Sequence, residues 1–200
     1  MSANPPILGL VLAGGTSSRM QRDKAALTYR GRSQLDRAYE LVSRHVPCAF
    51  VSVRPNQIED SARAHKPLIV DSVTGGGPIV GIRSGFAQHA GVAWLVVACD
   101  LPFLSDAALT QLLAARDPSR PATAFLSAHD GLPEPLCAIW EPAAAALLEA
   151  FQAAAGQCPR KFLRQYGATL IEPLDRHALD NVNTPEEYAA ALQALGAANP

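Results

Sequence analysis

The chain has 200 residues, 48% apolar and 18% charged, the make-up of one ordinary domain with ample material for a core, which excludes a disordered chain. Seventeen Lys and Arg face eighteen Asp and Glu, a formal charge of −1, so bulk charge holds the protein to neither nucleic acid nor an anionic membrane. Phosphates, if bound, need a local arrangement of donors. Cysteines 48, 99, 137 and 158 form no CxxC or CxxH pair, which excludes a zinc clip of that spacing and predicts buried thiols in a reducing cytosol.

Ile7 to Leu12 is a continuous apolar run without alternation, the pattern of a strand buried on both faces. It is too short to span a bilayer, and with no basic residue before it is no signal peptide. Leu35 to Val46 has helical spacing, and strand-like runs follow at Ala49–Val53 and Pro67–Val70. A Gly75-Gly76-Gly77-Pro78 loop precedes a helix over Ile79–His89, and a further strand covers Ala93–Ala98. Ser105-Asp106 starts a capped helix carrying Leu109, Leu112 and Leu113 on one face. Ala122–Leu126 is another strand, prolines 133 and 135 fix the entry to an apolar run ending at Trp140, and Ala-rich Pro142–Ala155 is a helix. Thr184-Pro185-Glu186-Glu187 supplies an N-cap, a first-turn proline and two acids for a last helix. Alternating strands and helices predict one α/β domain over 1–200, its core at about 7–195 and its tail, 196–200, frayed. The expected fold is a Rossmann-like three-layer α/β/α sandwich around a mostly parallel sheet.

The first strand runs into Gly14-Gly15-Thr16-Ser17-Ser18-Arg19, and Lys24 follows. Glycines after a buried strand bring backbone N–H groups close to an anion. Of only three lysines one falls here, and from Arg19 to Arg37 six basic residues stand against two acids. A Gly-rich turn before a solvated basic helix is the plainer alternative. The Walker pattern and GxGxxG are both absent.

Asp100 ends the Val96-Val97-Ala98-Cys99 run, at the sheet edge where open α/β folds bind ligands. A carboxylate there suits Mg²⁺, which shares oxygen ligands with substrate phosphates; capping of the next turn is the other reading. Asp71 has an equivalent strand-end position, open to a ribose hydroxyl, a base or a loop cap. Asp180-Asn181-Val182-Asn183 offers amide oxygens to a hard cation or a heterocycle, or ordinary helix capping. Glu134 is placed to face a cleft or solvent. The five histidines make no HExxH, GxSxG is missing, and Cys99 is read as core.

Taken in order, LAGG-xxx-RM-xxx-K, a strand-end Asp before a GGP loop, CDxP and NxNTPEE resemble the molybdenum cofactor guanylyltransferases, from Leu8 to about Leu192. The resemblance implies transfer of GMP from GTP to molybdopterin with loss of pyrophosphate, in the cytoplasm. It implies GTP contacts at Leu12, Ala13, Gly14, Gly15, Lys24, Asp71 and Asp100, with Asp100 on Mg²⁺, and Asn181 and Asn183 by the pterin or the metal; Arg19 and Lys24 then offset charge, and Glu134 is a further candidate on the acceptor side. Gln21 replaces a usual glycine. Where relatives often carry an Asn, this chain reads Val51-Ser52-Val53-Arg54, with Ser52 as the stand-in. Gly14, where cytosine-using relatives tend to have Ala, resembles the guanine-using version. A cytidylyltransferase, another sugar-phosphate-type nucleotidyltransferase and a non-catalytic nucleotide-binding protein remain open. Transient contact with other cofactor-biosynthesis proteins or recipient molybdoenzymes is left open too.

Overall fold

The computed structural model describes residues 4–15, 23–63, 65–72 and 77–197. Strand β1 (Ile7–Leu12) pairs in parallel with β4 (Ala49–Val53) on one side and β6 (Ala93–Ala98) on the other. A strand hydrogen-bonded along both edges and covered on both faces has no use for polar alternation, which is why these runs read as unbroken apolar blocks. β5 (Leu68–Val70) extends the sheet beyond β4. On the far side follow β8 (Pro133–Trp140), β7 (Ala122–Leu126) and β9 (Thr169–Ile171). The seven-stranded order is β5-β4-β1-β6-β8-β7-β9. Only β8 runs against its neighbours, so the sheet is mostly parallel, as expected.

Successive strand side chains point to opposite faces, and two separate cores result. Val11, Val51, Leu95, Val97 and Ile139 face helices α1 (Gln34–Ser43) and α3 (Asp106–Ala114). Leu10, Ile69, Trp94, Val96 and Trp140 face α2 (Pro78–Gln88), α4 (Ala144–Ala153) and α5 (Pro159–Tyr166). This is the three-layer sandwich. The cap expected at Ser105 forms, its hydroxyl accepting from the Ala108 N–H, and Ser33 caps α1 in the same way through the Asp36 N–H.

Several features escape the sequence reading. A hairpin, β2 (Thr28–Tyr29) and β3 (Arg32–Ser33), turns through Arg30 and Gly31, both at positive φ, as a tight two-residue hairpin turn requires. Two-residue strands leave no periodicity to detect; the three-residue β9 and the eight-residue α5 also escape it. The closing helix α6 (Pro185–Ala197) continues through residues 196 and 197, where fraying was expected. It packs on the hairpin in a third, small core of Leu27, Tyr29, Val182 and Ala191. The expectation of four buried thiols holds for Cys99 and Cys137 only; Cys48 and Cys158 are exposed, the first beyond α1 and the second at the cap of α5. No helix among the described residues is long and apolar enough to cross a membrane.

Candidate active site

The carboxyl ends of β1, β4, β5 and β6, with the start of α2, open on one cavity of about 800 Å³. Parallel strands all deliver their ends to the same edge, so residues far apart in sequence meet there. Leu12, Ala13, Gly14 and Gly15 leave β1 along its wall. The Ala13 N–H donates to the Ser52 carbonyl at 3.1 Å, and the Cys99 N–H to the Leu12 carbonyl at 3.2 Å, extending the sheet by one rung on each side.

Asp71 stands at the end of β5, its N–H bonded to Val53 O. Its Oδ1 accepts from the Ser52 hydroxyl at 2.9 Å. Burial pushes this carboxyl above the usual carboxylate range, against the opposing pull of the Ser52 hydrogen bond and the Arg54 charge. Two glycines make the arrangement fit. A Cβ on Gly14 would lie 3.3 Å from Asp71 Oδ2, and one on Gly81 would lie 2.4 Å from Ser52 Oγ. Ser52 is thus buried against α2 and serves to orient Asp71 while lining the cavity. Arg54 joins this group, its guanidinium donating to the Gly15 carbonyl at 3.4 Å.

Across the cavity, Asp23 caps a short turn, Lys24–Ala26, by accepting from the Ala25 N–H. The turn aims Lys24 at Asp100: the ammonium donates to Asp100 Oδ2 at 2.8 Å and also to the Asn183 amide oxygen. Asn183 in turn donates to the Asn181 amide oxygen at 2.8 Å. The Val182 N–H between them bonds the Asp100 carbonyl at 3.1 Å, stitching this segment to the end of β6. Thr184 and Glu187 then form a reciprocal capping box at the start of α6, the Glu187 carboxylate also accepting from the Asn183 N–H.

Lys24, Asp71, Asp100, Gly14, Gly15, Ser52 and Asn183 are therefore brought together. Asn181 is exposed and acts through Asn183. Glu134 does not line the cavity; it pairs with Arg160 at 2.7 Å, and β8 instead contributes Leu136. Leu136 falls where the β7–β8 register shifts, so residues 135–137 have no β7 partner. Arg19 and the 16–22 stretch, with Gln21, and the 73–76 part of the glycine loop lie outside the described residues. Asp23 and Arg54, which line the cavity, were missed as site residues; an isolated Arg or Asp in a loop carries no local signal. Cys99 is core, its thiol pushed up to about 12 by burial. Among the described residues no group of three or more His, Cys, Asp or Glu is placed to hold a metal ion.

A glycine-walled strand end, a lysine on a strand-end aspartate and a second aspartate one sheet edge away define a nucleotide-handling enzyme of the nucleotidyltransferase class. The family model of the MobA-like NTP transferase domain matches residues 9–170, and the chain belongs to that family. A molybdenum cofactor guanylyltransferase of Pseudomonas paraeruginosa is 34% identical over 94% of this chain and 96% of that protein. A molybdenum cofactor biosynthesis bifunctional protein of Synechocystis is 34% identical over 92% of this chain. The chain spans about half, 53%, of the length of that bifunctional relative. Among solved structures, the molybdopterin-guanine dinucleotide biosynthesis protein A of Archaeoglobus fulgidus superposes with a TM-score of 0.78 at 23% identity, over 95% of this chain and 99% of that one.

Proposed function

We propose that the protein is a molybdenum cofactor guanylyltransferase, transferring GMP from GTP to molybdopterin in the cytoplasm with release of pyrophosphate. The observation that carries the reading is the meeting of Lys24, Asp100 and Asn183 in the cavity that Gly14 and Asp71 also line. The named relatives support the base and the acceptor.

The residues present fit Mg²⁺. Asp100 is a hard oxygen donor at a strand end, and a magnesium ion completed by triphosphate oxygens and water needs only one or two protein carboxylates. Bound there, it would neutralise charge on the pyrophosphate leaving group. The chain's own groups do the rest. The backbone from Ala13 to Gly15 approaches the phosphates without side-chain obstruction, Asp71 accepts from the nucleoside, and Lys24, with Arg19 in the same role, offsets charge developing in transfer. The acceptor's terminal phosphate is already ionised at neutral pH, so no Ser–His pair is called for. Such a reaction runs on positioning and charge stabilisation. Asn183, steadied by Asn181, borders the acceptor side.

The test is pyrophosphate release from GTP, CTP, ATP and UTP with Mg²⁺, with and without molybdopterin. Acceptor-dependent release from GTP alone is the expected result. Preference for CTP would move the protein to the sister cytidylyltransferase, and release from none would overturn the catalytic reading.

A further inference from the structure

Two charged side chains among the described residues are fully buried, Glu141 and Arg63. Glu141 is held by Arg116 through two hydrogen bonds, at the edge of the sheet opposite the cavity, where Arg116 also donates to the Pro5 carbonyl before β1 begins. Arg63 lies elsewhere, in the connection between β4 and β5. Its Nη2 donates to the Ala13 carbonyl at 3.1 Å and stands 2.7 Å from Asp23 Oδ2, while Nη1 pairs with Asp60. A guanidinium out of water is costly unless paired, and the planar fork of arginine can meet several oxygens at once as a lysine cannot.

Its partners are telling. Ala13 is the first residue beyond β1, and Asp23 is the cap of the turn that carries Lys24. One buried side chain therefore ties the end of the strand to the turn that carries the lysine. Asp23 also lines the cavity, so a negative charge stands beside the space assigned to the triphosphate. Arg63 offsets that charge from behind, without reaching the cavity itself.

We propose that Arg63 is a positioning residue of the nucleotide site, a clamp on Ala13 and Asp23 that sets nucleoside triphosphate affinity without touching the nucleotide. This rests on the reading of the cavity as a nucleotide site. Its sharpest consequence is a sign. Were Asp23 merely an acid beside the phosphates, Asp23→Asn would relieve repulsion and tighten GTP. In the clamp the same change removes the ionic tie to Arg63 and weakens it.

The experiment compares GTP dissociation constants and melting temperatures of the full chain and three variants, by calorimetry. Asp23→Asn keeps the helix-cap function, which Asn fills as well as Asp, and its partly exposed side chain spares the core. Expected is GTP binding weakened by roughly 3- to 10-fold, the net size of one hydrogen bond, with the melting temperature lowered by no more than a few degrees because Asp60 still pairs with Arg63. Arg63→Met should weaken binding at least as much, and Arg63→Lys should recover part of that loss. Unchanged or tighter GTP binding by Asp23→Asn would overturn the clamp even if the Arg63 variants fail to fold, as would a folded Arg63→Met variant that binds like the parent. Should the parent prefer CTP, the guanylyl reading fails while the same ratios, taken with CTP, still decide the clamp. A parent that binds no nucleotide overturns both.

Discussion

Lys24 and Asp100, 76 residues apart, form an ion pair at 2.8 Å with each side chain about one-fifth exposed. A lysine poised on the carboxylate keeps the site charge-balanced without nucleotide, and a cation arriving on Asp100 must share that carboxylate. Asp100→Asn preserves shape and the ability to accept from Lys24 but removes the charge. Turnover should fall by about 10²- to 10³-fold, with GTP affinity within a few-fold of the parent. Steady-state rates and calorimetry on the same preparation check this; undiminished turnover would remove Asp100 from the metal role.

Asp71 gives a prediction of opposite sign for stability and binding. Burial raises its pKa in the folded protein, so the fold holds that proton more tightly than the unfolded chain does. The favourable contribution is full below the unfolded pKa and is lost as pH rises through the raised folded value. At neutral pH the ionised carboxyl strains the fold. Asp71→Asn should therefore raise the melting temperature at pH 7 by about 2–4 °C, what ~1 kcal/mol does in a chain of this length, and the gain should vanish in acid. GTP binding should weaken in the same variant, and in the parent as pH drops through the range where Asp71 takes up its proton. Melting curves across pH and a binding series report both.

The glycines separate packing from recognition. Gly81→Ala drives a methyl into Ser52 and Leu12, and should cost about 1–3 kcal/mol in stability through overpacking while displacing Ser52 from Asp71. Gly14→Ala is tight only against Asp71 Oδ2, at 3.3 Å, and makes ordinary contact with Arg54. It should leave stability nearly unchanged and lower the ratio of GTP to CTP use. Chemical denaturation and a nucleotide competition assay distinguish the two variants.

Far from the cavity, Arg116→Met would strand the Glu141 carboxylate inside the protein. The expected loss is about 3–5 kcal/mol, with the GTP dissociation constant unchanged at a temperature where the variant stays folded. A change in GTP affinity there would show that the two ends of the sheet communicate.

The sheet was legible because β1, β4, β6 and β7 are apolar without alternation and lie between capped or proline-started helices. The strand-end positions of Asp71 and Asp100, and Lys24 in its loop, follow from that pattern with the motif order. The Lys24–Asn183 contact was not legible, since nothing in either segment records the fold-back of α6 onto the β2–β3 hairpin. Glu134 looked available beside two prolines, yet Arg160, 26 residues on, takes it. Arg63 was invisible for the same reason: apart from Asp60, three residues before it, its partners Ala13 and Asp23 come from distant stretches of chain.

The docking of α6 has a temporal side. Tyr188 donates to the Thr28 carbonyl at 2.7 Å and sets its ring edge-on to Tyr29, so Asn183 reaches Lys24 on a segment translated after every strand of the sheet. A growing chain that has already made Lys24 and Asp100 cannot yet complete their surroundings. Synthesis itself thus delays the assembled centre until the sheet that supports it has left the ribosome.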